Sequence, residues 1–303
     1  MVNQLLLWAA GNSRLEQAIA GNPLAGKTVH RFVAGDGLAD AVAAAVELNE
    51  HGIGGILDLL GEGVQDLAGA RAAAQEYLEA VEVIADRGLD STVSLKLSQL
   101  GLTVDRAACV ENLMMVLQRA AELGVGVEVD MEQSELVDAS LEVFRQAVAS
   151  YPETRLAIQV CLRRTVLDLE SLAPFKPRIR LVKGAYAEPI ELALRGKDEI
   201  TAQYRYLTDW LFAKGSLPAF GTHDDTSIEY AKKAAAQAGL GKQDFEFQML
   251  YGIRRDLQQQ LADDGYRVRV YIPFGSSWYP YLMRRMAERP ANLRFFARSL
   301  VGG

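Results

Sequence analysis

The order of apolar and polar positions along the chain predicts eight short β-strands separated by helices. In the strand-like runs, apolar residues alternate with polar ones or form a short apolar block, as in half-buried or fully buried strands. Longer stretches with helical periodicity lie between these runs. The eight runs are GGILDLLG (54–61), TVSLKLS (92–98), GVGVEVD (124–130), RLAIQVCL (155–162), RIRLVKG (178–184), PAFGTHD (218–224), FEFQML (245–250) and RVRVYI (267–272).

Strands that alternate with helices indicate parallel pairing, because a parallel crossover needs a long connection that is usually helical. Eight such units in about 250 residues fit a closed (β/α)8 barrel better than an open, doubly wound sheet. We therefore predict an α/β fold with a single domain over residues 1–303. Residues 1–50 would form a helical extension, which includes an alanine-rich segment ending at Gly52, and residues 51–303 the barrel.

The stretch from Arg267 to Pro290 carries the most distinctive pattern in the sequence. Its strand-like alternation is interrupted at Pro273 and Gly275, and a helix is predicted to follow. One face of that helix carries polar residues at positions i, i+3, i+4 and i+7: Tyr281, Arg284, Arg285 and Glu288. Such a face is either a solvated surface or an anion clamp, in which adjacent guanidinium groups hold a carboxylate through forked hydrogen bonds.

Composition narrows the class of protein. The chain is 50% hydrophobic and 23% charged, as in a soluble globular protein with a large core. Its net charge of −7 argues against a nucleic-acid partner, which would need a basic face. Cys109 and Cys161 form no CxxC pattern, which favours a reducing compartment and thus the cytoplasm. No apolar run approaches the length of a membrane span, so only peripheral contact with the inner face of the membrane stays open.

Polar residues stand at the end of nearly every predicted strand, where a (β/α)8 barrel carries its chemistry. They either pair with one another and hold the barrel mouth, or they form a site. These residues are Asp58, Glu62, Lys96, Asp130, Gln159, Arg180, Lys183, Tyr186, Thr222, His223, Asp224, Glu246, Gln248 and Tyr271.

Three chemistries are compatible with such a set of residues. A lyase or aldolase that forms a Schiff base would need a desolvated lysine, and Lys96 and Lys183 qualify by position. A metal hydrolase would need clustered histidines, yet only His223 stands at a strand end. A cofactor enzyme with an anionic substrate fits the remaining features, because Gly184 and Ala185 let a ligand approach the backbone closely. No GxGxxG follows a strand, which disfavours a Rossmann-type nucleotide site.

Five motifs together resemble the proline dehydrogenase family: RFVAGDG (31–37), RLVKGAY (180–186), GTHDD (221–225), FEFQMLYG (245–252) and YLMRRMAERP (281–290). Their order and spacing also agree, and the chain length resembles that of the monofunctional bacterial members. The resemblance implies an FAD-bearing, distorted barrel whose last helix lies over the mouth, which favours the anion clamp. It also implies oxidation of L-proline to Δ1-pyrroline-5-carboxylate by hydride transfer to flavin N5, with electrons passed on to a quinone.

The resemblance further implies roles for individual residues. Arg284, Arg285 and Lys96 would bind the proline carboxylate, and Arg284 would pair with Glu62 to close a lid. Asp130 would hold the basic cluster in place. The pyrrolidine ring would be enclosed by Tyr271, Tyr281 and Leu181. The flavin would be bound by Arg180, Gln159, Lys183, Gly184, Ala185, Thr222, His223, Asp224 and Glu288. No residue stands out as a base for the substrate amine, so deprotonation by solvent is the expectation.

Overall fold

A computed structural model describes residues 29–61, 63–186 and 188–288, with side chains up to Arg285. Eight parallel strands close into a barrel in sequential order, as the sequence pattern predicts. The strands are β1 (Gly54–Leu59), β2 (Ser91–Leu95), β3 (Gly126–Val129), β4 (Arg155–Gln159), β5 (Arg178–Val182), β6 (Ala219–Gly221), β7 (Glu246–Leu250) and β8 (Arg267–Phe274).

Helices precede, separate and follow the strands. They are α1 (Leu38–Glu50), α2 (Leu67–Asp86), α3 (Arg106–Leu123), α4 (Val137–Ser150), α5 (Thr165–Leu172), α6 (Lys197–Lys214), α7 (Asp225–Gln237), α8 (Arg255–Asp263) and α9 (Trp278–Glu288). Short 3₁₀ turns lie at Ser134–Leu136 and Ala173–Phe175. Local signals explain several helix ends: the Asp105 side chain accepts a hydrogen bond from the backbone of Ala108, and Gly124 ends α3 in a left-handed conformation.

The interior of the barrel is charged, whereas its outer face is apolar. Strand residues that alternate with the interior ones, such as Leu156, Phe220 and Val270, are fully buried in the main hydrophobic core. The polar residues of the interior are Glu128, Arg155, Arg180, Glu246, Gln248 and Arg269. Because each of them is hydrogen bonded to another, the charges compensate one another inside the barrel.

Glu246 lies at the opposite end of the barrel from the predicted site. It is the first residue of β7, not a residue at its carboxyl end. Its carboxylate accepts hydrogen bonds from Arg155, at 2.7 Å, and from Arg269, at 3.0 Å. The predicted run 245–250 contains β7, but Glu246 lies at the amino-terminal end of the barrel interior and not at the mouth of the barrel.

Helices α1 and α9 occupy unusual places for a (β/α)8 barrel. Helix α1 packs on the outside of β8 and β1, where the helix that follows β8 would otherwise lie. Helix α9 instead buries its apolar residues in a second cluster with Phe32, Leu60 and Ile253. Leu60 and Ile253 lie in the loops just beyond the carboxyl ends of β1 and β7. Helix α9 therefore covers the mouth of the barrel.

Pro273 does not end β8, contrary to the sequence prediction. The strand continues to Phe274, and Gly275 with φ of 118° then turns the chain. Strand β7 ends at Leu250, opposite Tyr271, so the missing N–H of proline costs no ladder bond to β7. The carbonyl of Pro273 accepts a hydrogen bond from Ala34 instead.

Candidate active site

A cavity of about 430 Å³ lies at the carboxyl end of the barrel, beneath α9. Its floor consists of side chains from the strand ends, and its wall consists of the loops after β5 and β6. Its roof is the polar face of α9, which contributes Tyr281, Arg284 and Arg285. This volume is in the range of small-molecule sites.

Asp130 is the centre of the floor. It accepts hydrogen bonds from the Ser94 hydroxyl at 2.9 Å and from the Tyr271 hydroxyl at 2.6 Å. Arg180 forms a close ion pair with the same carboxylate, and the ammonium of Lys96 lies 3.3 Å from it. Although burial favours the neutral acid, Arg180 and Lys96 outweigh it and lower the pKa of Asp130 to about 2.

Asp58 holds Lys96 from the other side. Its Oδ1 atom accepts a hydrogen bond of 2.7 Å from the Lys96 ammonium. Burial is the largest influence on this carboxyl and raises its pKa to about 6, although Lys96 acts in the opposite direction. The two carboxylates that flank Lys96 thus differ strongly in their affinity for a proton.

Lys96 is an ammonium ion in this site. Burial alone would favour the neutral amine, but Asp58, Tyr271 and Asp130 together raise the pKa of Lys96 well above its usual value. A Schiff-base lysine needs the opposite, a depressed pKa that provides the neutral nucleophile. The floor of the cavity therefore does not activate Lys96 as a nucleophile.

Both roof arginines line the cavity, and Arg285 is buried whereas Arg284 is partly exposed. Arg285 is only 9% exposed, and its guanidinium lies 5.2 Å from the ring centroid of Tyr281. The guanidinium of Arg284 lies 6.0 Å from the ring centroid of Tyr186, which belongs to the loop after β5. The solvated-face interpretation of this helix is therefore wrong for Arg285, and the helix presents two cations to the cavity.

The wall of the cavity is rich in polar groups. The ammonium of Lys183 lies 3.2 Å from Asp224, whose carboxylate also accepts hydrogen bonds from Thr226 and Ser227. Burial opposes ionisation of Asp224, but these donors lower its pKa to about 2. The ring Nε2 of His223 accepts a hydrogen bond from the backbone of Leu250, so Nδ1 carries the proton of this neutral imidazole.

Gly184 and Gln159 lie together where the wall meets the floor. Gly184 has φ of 106°, and a Cβ atom there would lie 2.3 Å from the sulfur of Cys161. Only glycine fits this position without strain. The amide nitrogen of Gln159 donates to the carbonyl of Glu132, while its buried Oε1 has no hydrogen-bond partner among the described residues. Gln159 itself is not among the residues that line the cavity, so the sequence prediction of a cofactor contact there has no support from the cavity lining.

The structure brings most of the predicted site residues to this one cavity. Those that line it are Lys96, Asp130, Arg180, Lys183, Gly184, Ala185, Thr222, His223, Asp224, Tyr271, Tyr281, Arg284 and Arg285. Glu62 and the side chain of Glu288 lie outside the described residues, so the predicted pair of Arg284 with Glu62 stays a prediction.

Leu181 does not belong to the cavity, contrary to the sequence prediction. It is fully buried in the main hydrophobic core, whereas its neighbours Arg180 and Val182 line the cavity. Successive residues of a strand point to opposite sides, so Leu181 faces the helices. The apolar residues that do line the cavity include Ala157, Val182 and Leu250. The same alternation identifies two of them, since they lie two residues from Gln159 and Gln248.

The described residues include neither a metal site nor a helix that could span a membrane. In the described ranges, no group of three or more histidine, cysteine, aspartate or glutamate residues could hold a metal ion. Both cysteines are free thiols. No helix between residues 29 and 288 combines the length and the apolar character that crossing a membrane requires.

Comparisons with known proteins agree with the geometry. The family model for proline dehydrogenase matches residues 41–298. The chain is 39% identical over 278 residues to proline dehydrogenase of Deinococcus radiodurans, covering 90% of both chains. It is 37% identical over 271 residues to proline dehydrogenase 1 of Bacillus subtilis subsp. natto, covering 89% of this chain and 90% of that one.

The fold also matches a solved structure. Proline utilization A from Bdellovibrio bacteriovorus, inactivated by N-propargylglycine, superposes with a TM-score of 0.81 at 25% identity. The alignment covers 89% of this chain but only 33% of that longer chain. This chain thus corresponds to about a third of the larger protein.

Proposed function

Because the chain belongs to the proline dehydrogenase family, we propose that it oxidises L-proline to Δ1-pyrroline-5-carboxylate with FAD as the hydride acceptor. The observation that supports this proposal best is the charge of the cavity. Among the described residues that line it, five are lysine or arginine and three are aspartate. The excess of two positive charges lies in the roof and suits a carboxylate substrate.

Arg285 and Arg284 would bind the carboxylate of proline from above, and Lys96 would support the same anion from below. All three line the cavity, and the floor pairs Lys96 with Asp58 and Asp130 on both sides. Fixed charges of this kind orient the substrate, and correct orientation can lower a barrier by about 7–11 kcal/mol in favourable cases. The aromatic rings of Tyr271 and Tyr281 would enclose the apolar part of the substrate.

The residues along the wall fit FAD. Gly184 lines the cavity and keeps the wall free of a side chain. Lys183, Thr222 and His223 offer donors suited to the phosphates and hydroxyls of a dinucleotide. When bound, FAD supplies the acceptor for the hydride that leaves the substrate. Arg180, held by Asp130 and Glu128, would stabilise negative charge on the reduced ring.

The electrons would pass on to a quinone, as the first step of proline catabolism. A quinone is a membrane-soluble acceptor, so the proposal includes peripheral contact with the inner face of the membrane from a cytoplasmic location. Two free thiols, Cys109 and Cys161, are consistent with a reducing compartment.

A lyase or aldolase that acts through a lysine Schiff base is the second candidate, and the geometry disfavours it. Lys96 is paired with two carboxylates and is charged, while Lys183 is half exposed and paired with Asp224. Neither lysine is held in the apolar surroundings that give a neutral, nucleophilic amine.

Steady-state assays distinguish the two functions. Purified protein given L-proline and a soluble quinone should reduce the quinone and form the cyclic imine. Because proline carries no aldehyde or ketone, the lyase is tested with a keto acid such as pyruvate, and borohydride added with it should leave Lys96 and Lys183 unmodified by mass spectrometry. If no quinone is reduced and borohydride traps an adduct on Lys96 or Lys183, the dehydrogenase proposal would be wrong and the lyase would take its place.

Tyr271 is expected to limit the size of the substrate that the cavity accepts. It lines the cavity and is held by its hydroxyl on Asp130 and by Arg180, whose guanidinium lies 5.4 Å from the ring centroid. Replacing Tyr271 by serine opens space, so kcat/KM for 4-hydroxyproline should rise relative to proline by roughly tenfold, the scale of a changed packing contact.

Tyr271→Phe is the matched control for this change, since it removes the hydroxyl but keeps the ring. The ratio of the two kcat/KM values should stay near that of the wild type in this variant. Equal ratios in Tyr271→Ser and wild type would show that the tyrosine ring does not limit substrate size.

A further inference from the structure

Side chains continue the connection between β2 and β3 where their backbone pairing ends. The ladder ends with the hydrogen bond from the N–H of Asp130 to the carbonyl of Leu95, at 2.8 Å. The carboxylate of Asp130 then holds the ammonium of Lys96, at 3.3 Å. Two residues further along each chain, the carboxylate of Glu132 holds Ser98. The two acids thus form successive links between the loops after β2 and β3.

The Glu132–Ser98 pair is buried and makes two hydrogen bonds. Glu132 is 2% exposed and Ser98 is 3% exposed. The backbone N–H of Ser98 donates to Oε1 of Glu132 at 3.0 Å, and the Ser98 hydroxyl donates to Oε2. Two donors on two oxygens of one carboxylate fix both the backbone and the side chain of the serine. Neither residue is among those that line the cavity, so any effect on the substrate must pass through a neighbour.

That neighbour is Lys96, because Ser98 lies inside the turn that begins there. The carbonyl of Lys96 accepts hydrogen bonds from the N–H groups of Gln99, at 3.1 Å, and Leu100, at 3.4 Å. The hydroxyl of Ser98 also accepts from the N–H of Gly63 in the loop after β1, at 3.2 Å. The hydroxyl therefore acts as donor and acceptor at once. The backbone around Lys96 is held in this way by the loops on both sides.

We infer that Glu132 is a positioning residue for substrate binding, because it holds Lys96 where the ammonium reaches the carboxylate of the substrate. The inference rests on the proposed function, which assigns that carboxylate to Lys96 and to the two arginines of α9. Asp58 and Asp130 fix the ammonium end of Lys96, and the Glu132–Ser98 pair fixes its backbone end. A side chain held at both ends has little freedom left to lose when an anion binds, and this increases affinity.

Isothermal titration calorimetry of the FAD-loaded protein with cyclopentanecarboxylate tests the inference. This ring acid carries the carboxylate but no amine, so its binding is measured without turnover. The side chain of glutamine has a single acceptor oxygen, so Glu132→Gln loses one of the two hydrogen bonds from Ser98. The dissociation constant should rise roughly tenfold, or about 1.4 kcal/mol, because Lys96 is then less well fixed. Ser98→Ala, which loses the hydroxyl but keeps the N–H, should change it in the same direction.

Glu188 provides a matched control. It is 5% exposed and makes the same two contacts with a serine, since it accepts from the N–H and from the hydroxyl of Ser134. These contacts join the loops after β3 and β5 and leave the turn of Lys96 unchanged. Glu188→Gln should therefore keep the wild-type dissociation constant for cyclopentanecarboxylate. A general loss of packing at the mouth of the barrel would weaken binding in both glutamine variants alike.

Steady-state kinetics provide a second readout. Glu132→Gln should raise KM for L-proline by a factor similar to that seen by calorimetry, with little change in kcat, because the carboxylate is remote from the carbon that is oxidised. L-Prolinamide has no carboxylate, so its kcat/KM should stay close to the wild-type value. A structural defect without a positioning role would lower kcat/KM for both substrates by the same factor.

The outcomes separate this inference from the proposed function. Wild-type dissociation constants in Glu132→Gln and Ser98→Ala, or equal weakening in Glu188→Gln, would overturn the positioning role. If Glu132→Gln does not fold, the dissociation constant of Ser98→Ala decides between these results. A wild type that binds cyclopentanecarboxylate but oxidises no proline would overturn the proposed function, and the positioning of an anion-binding Lys96 would stand.

Discussion

Replacing Arg285 by methionine is expected to raise KM for L-proline by roughly 10- to 150-fold, with a smaller change in kcat. This range corresponds to about 1.5–3 kcal/mol for a hydrogen bond to a charged group. Arg285 is a buried residue of α9 and lines the cavity, so in the variant water would be a poor replacement for its contact with a carboxylate. Methionine keeps most of the side-chain length, and the variant therefore removes the charge with little loss of packing.

A surface arginine and a neutral substrate serve as controls for this prediction. Arg119→Met removes an exposed guanidinium on α3 that pairs with Glu82 and Glu122, and KM should not change. L-prolinamide lacks the carboxylate, so its kcat/KM should be much lower than that of proline in the wild type. This difference should shrink in Arg285→Met. A KM equal to that of the wild type in Arg285→Met would show that α9 does not clamp the carboxylate.

Replacing Glu246 by glutamine is expected to lower the free energy of unfolding by about 3–5 kcal/mol, the usual cost of removing one partner of a buried ion pair. The buried carboxylate of Glu246 is shared by Arg155 and Arg269, and it also accepts from Gln248. Neutral glutamine would leave two buried guanidinium groups undercompensated. Urea denaturation of both proteins at neutral pH measures the difference.

The same pair of proteins has a predicted pH dependence. Burial opposes ionisation of Glu246, but Arg155 and Arg269 lower its pKa from 4.5 to about 2. Its contribution to stability is therefore complete above pH 4.5 and disappears as the pH falls towards 2. The difference between wild type and Glu246→Gln should narrow over that range. Glu229→Gln, which changes an exposed carboxylate paired with Lys232, should have little effect at any pH.

The sequence was sufficient to predict the barrel architecture, because the alternation of apolar and polar residues that indicates each strand is a local signal. Each of the eight predicted runs overlaps one strand, although β2 begins one residue before its run and β8 ends two residues after its own. Helix α3 ends at Gly124, a glycine that adopts a left-handed conformation. The position of α9 could not be derived in this way. It depends on α1 occupying the groove beside β8 and on apolar contacts with Leu60 and Ile253, which are distant in sequence.

The candidate site was predictable in its membership but not in its electrostatics. Alternation along β5 places Leu181 opposite to Arg180 and outside the cavity, which contradicts the role that the family resemblance implies for Leu181. The different environments of Asp58 and Asp130 have no counterpart in the sequence, since both are aspartates at strand ends. The difference arises from hydroxyl and guanidinium donors that converge on Asp130 from other strands.

Anaerobic titration of the purified protein with L-proline tests the central claim most directly. The account predicts a yellow protein whose visible absorption is that of an oxidised flavin and is bleached by proline, with recovery after addition of a soluble quinone. The bleaching should need far more proline in Arg285→Met than in Arg119→Met. A colourless protein that cannot be loaded with FAD, or a flavin spectrum that proline leaves unchanged, would contradict it.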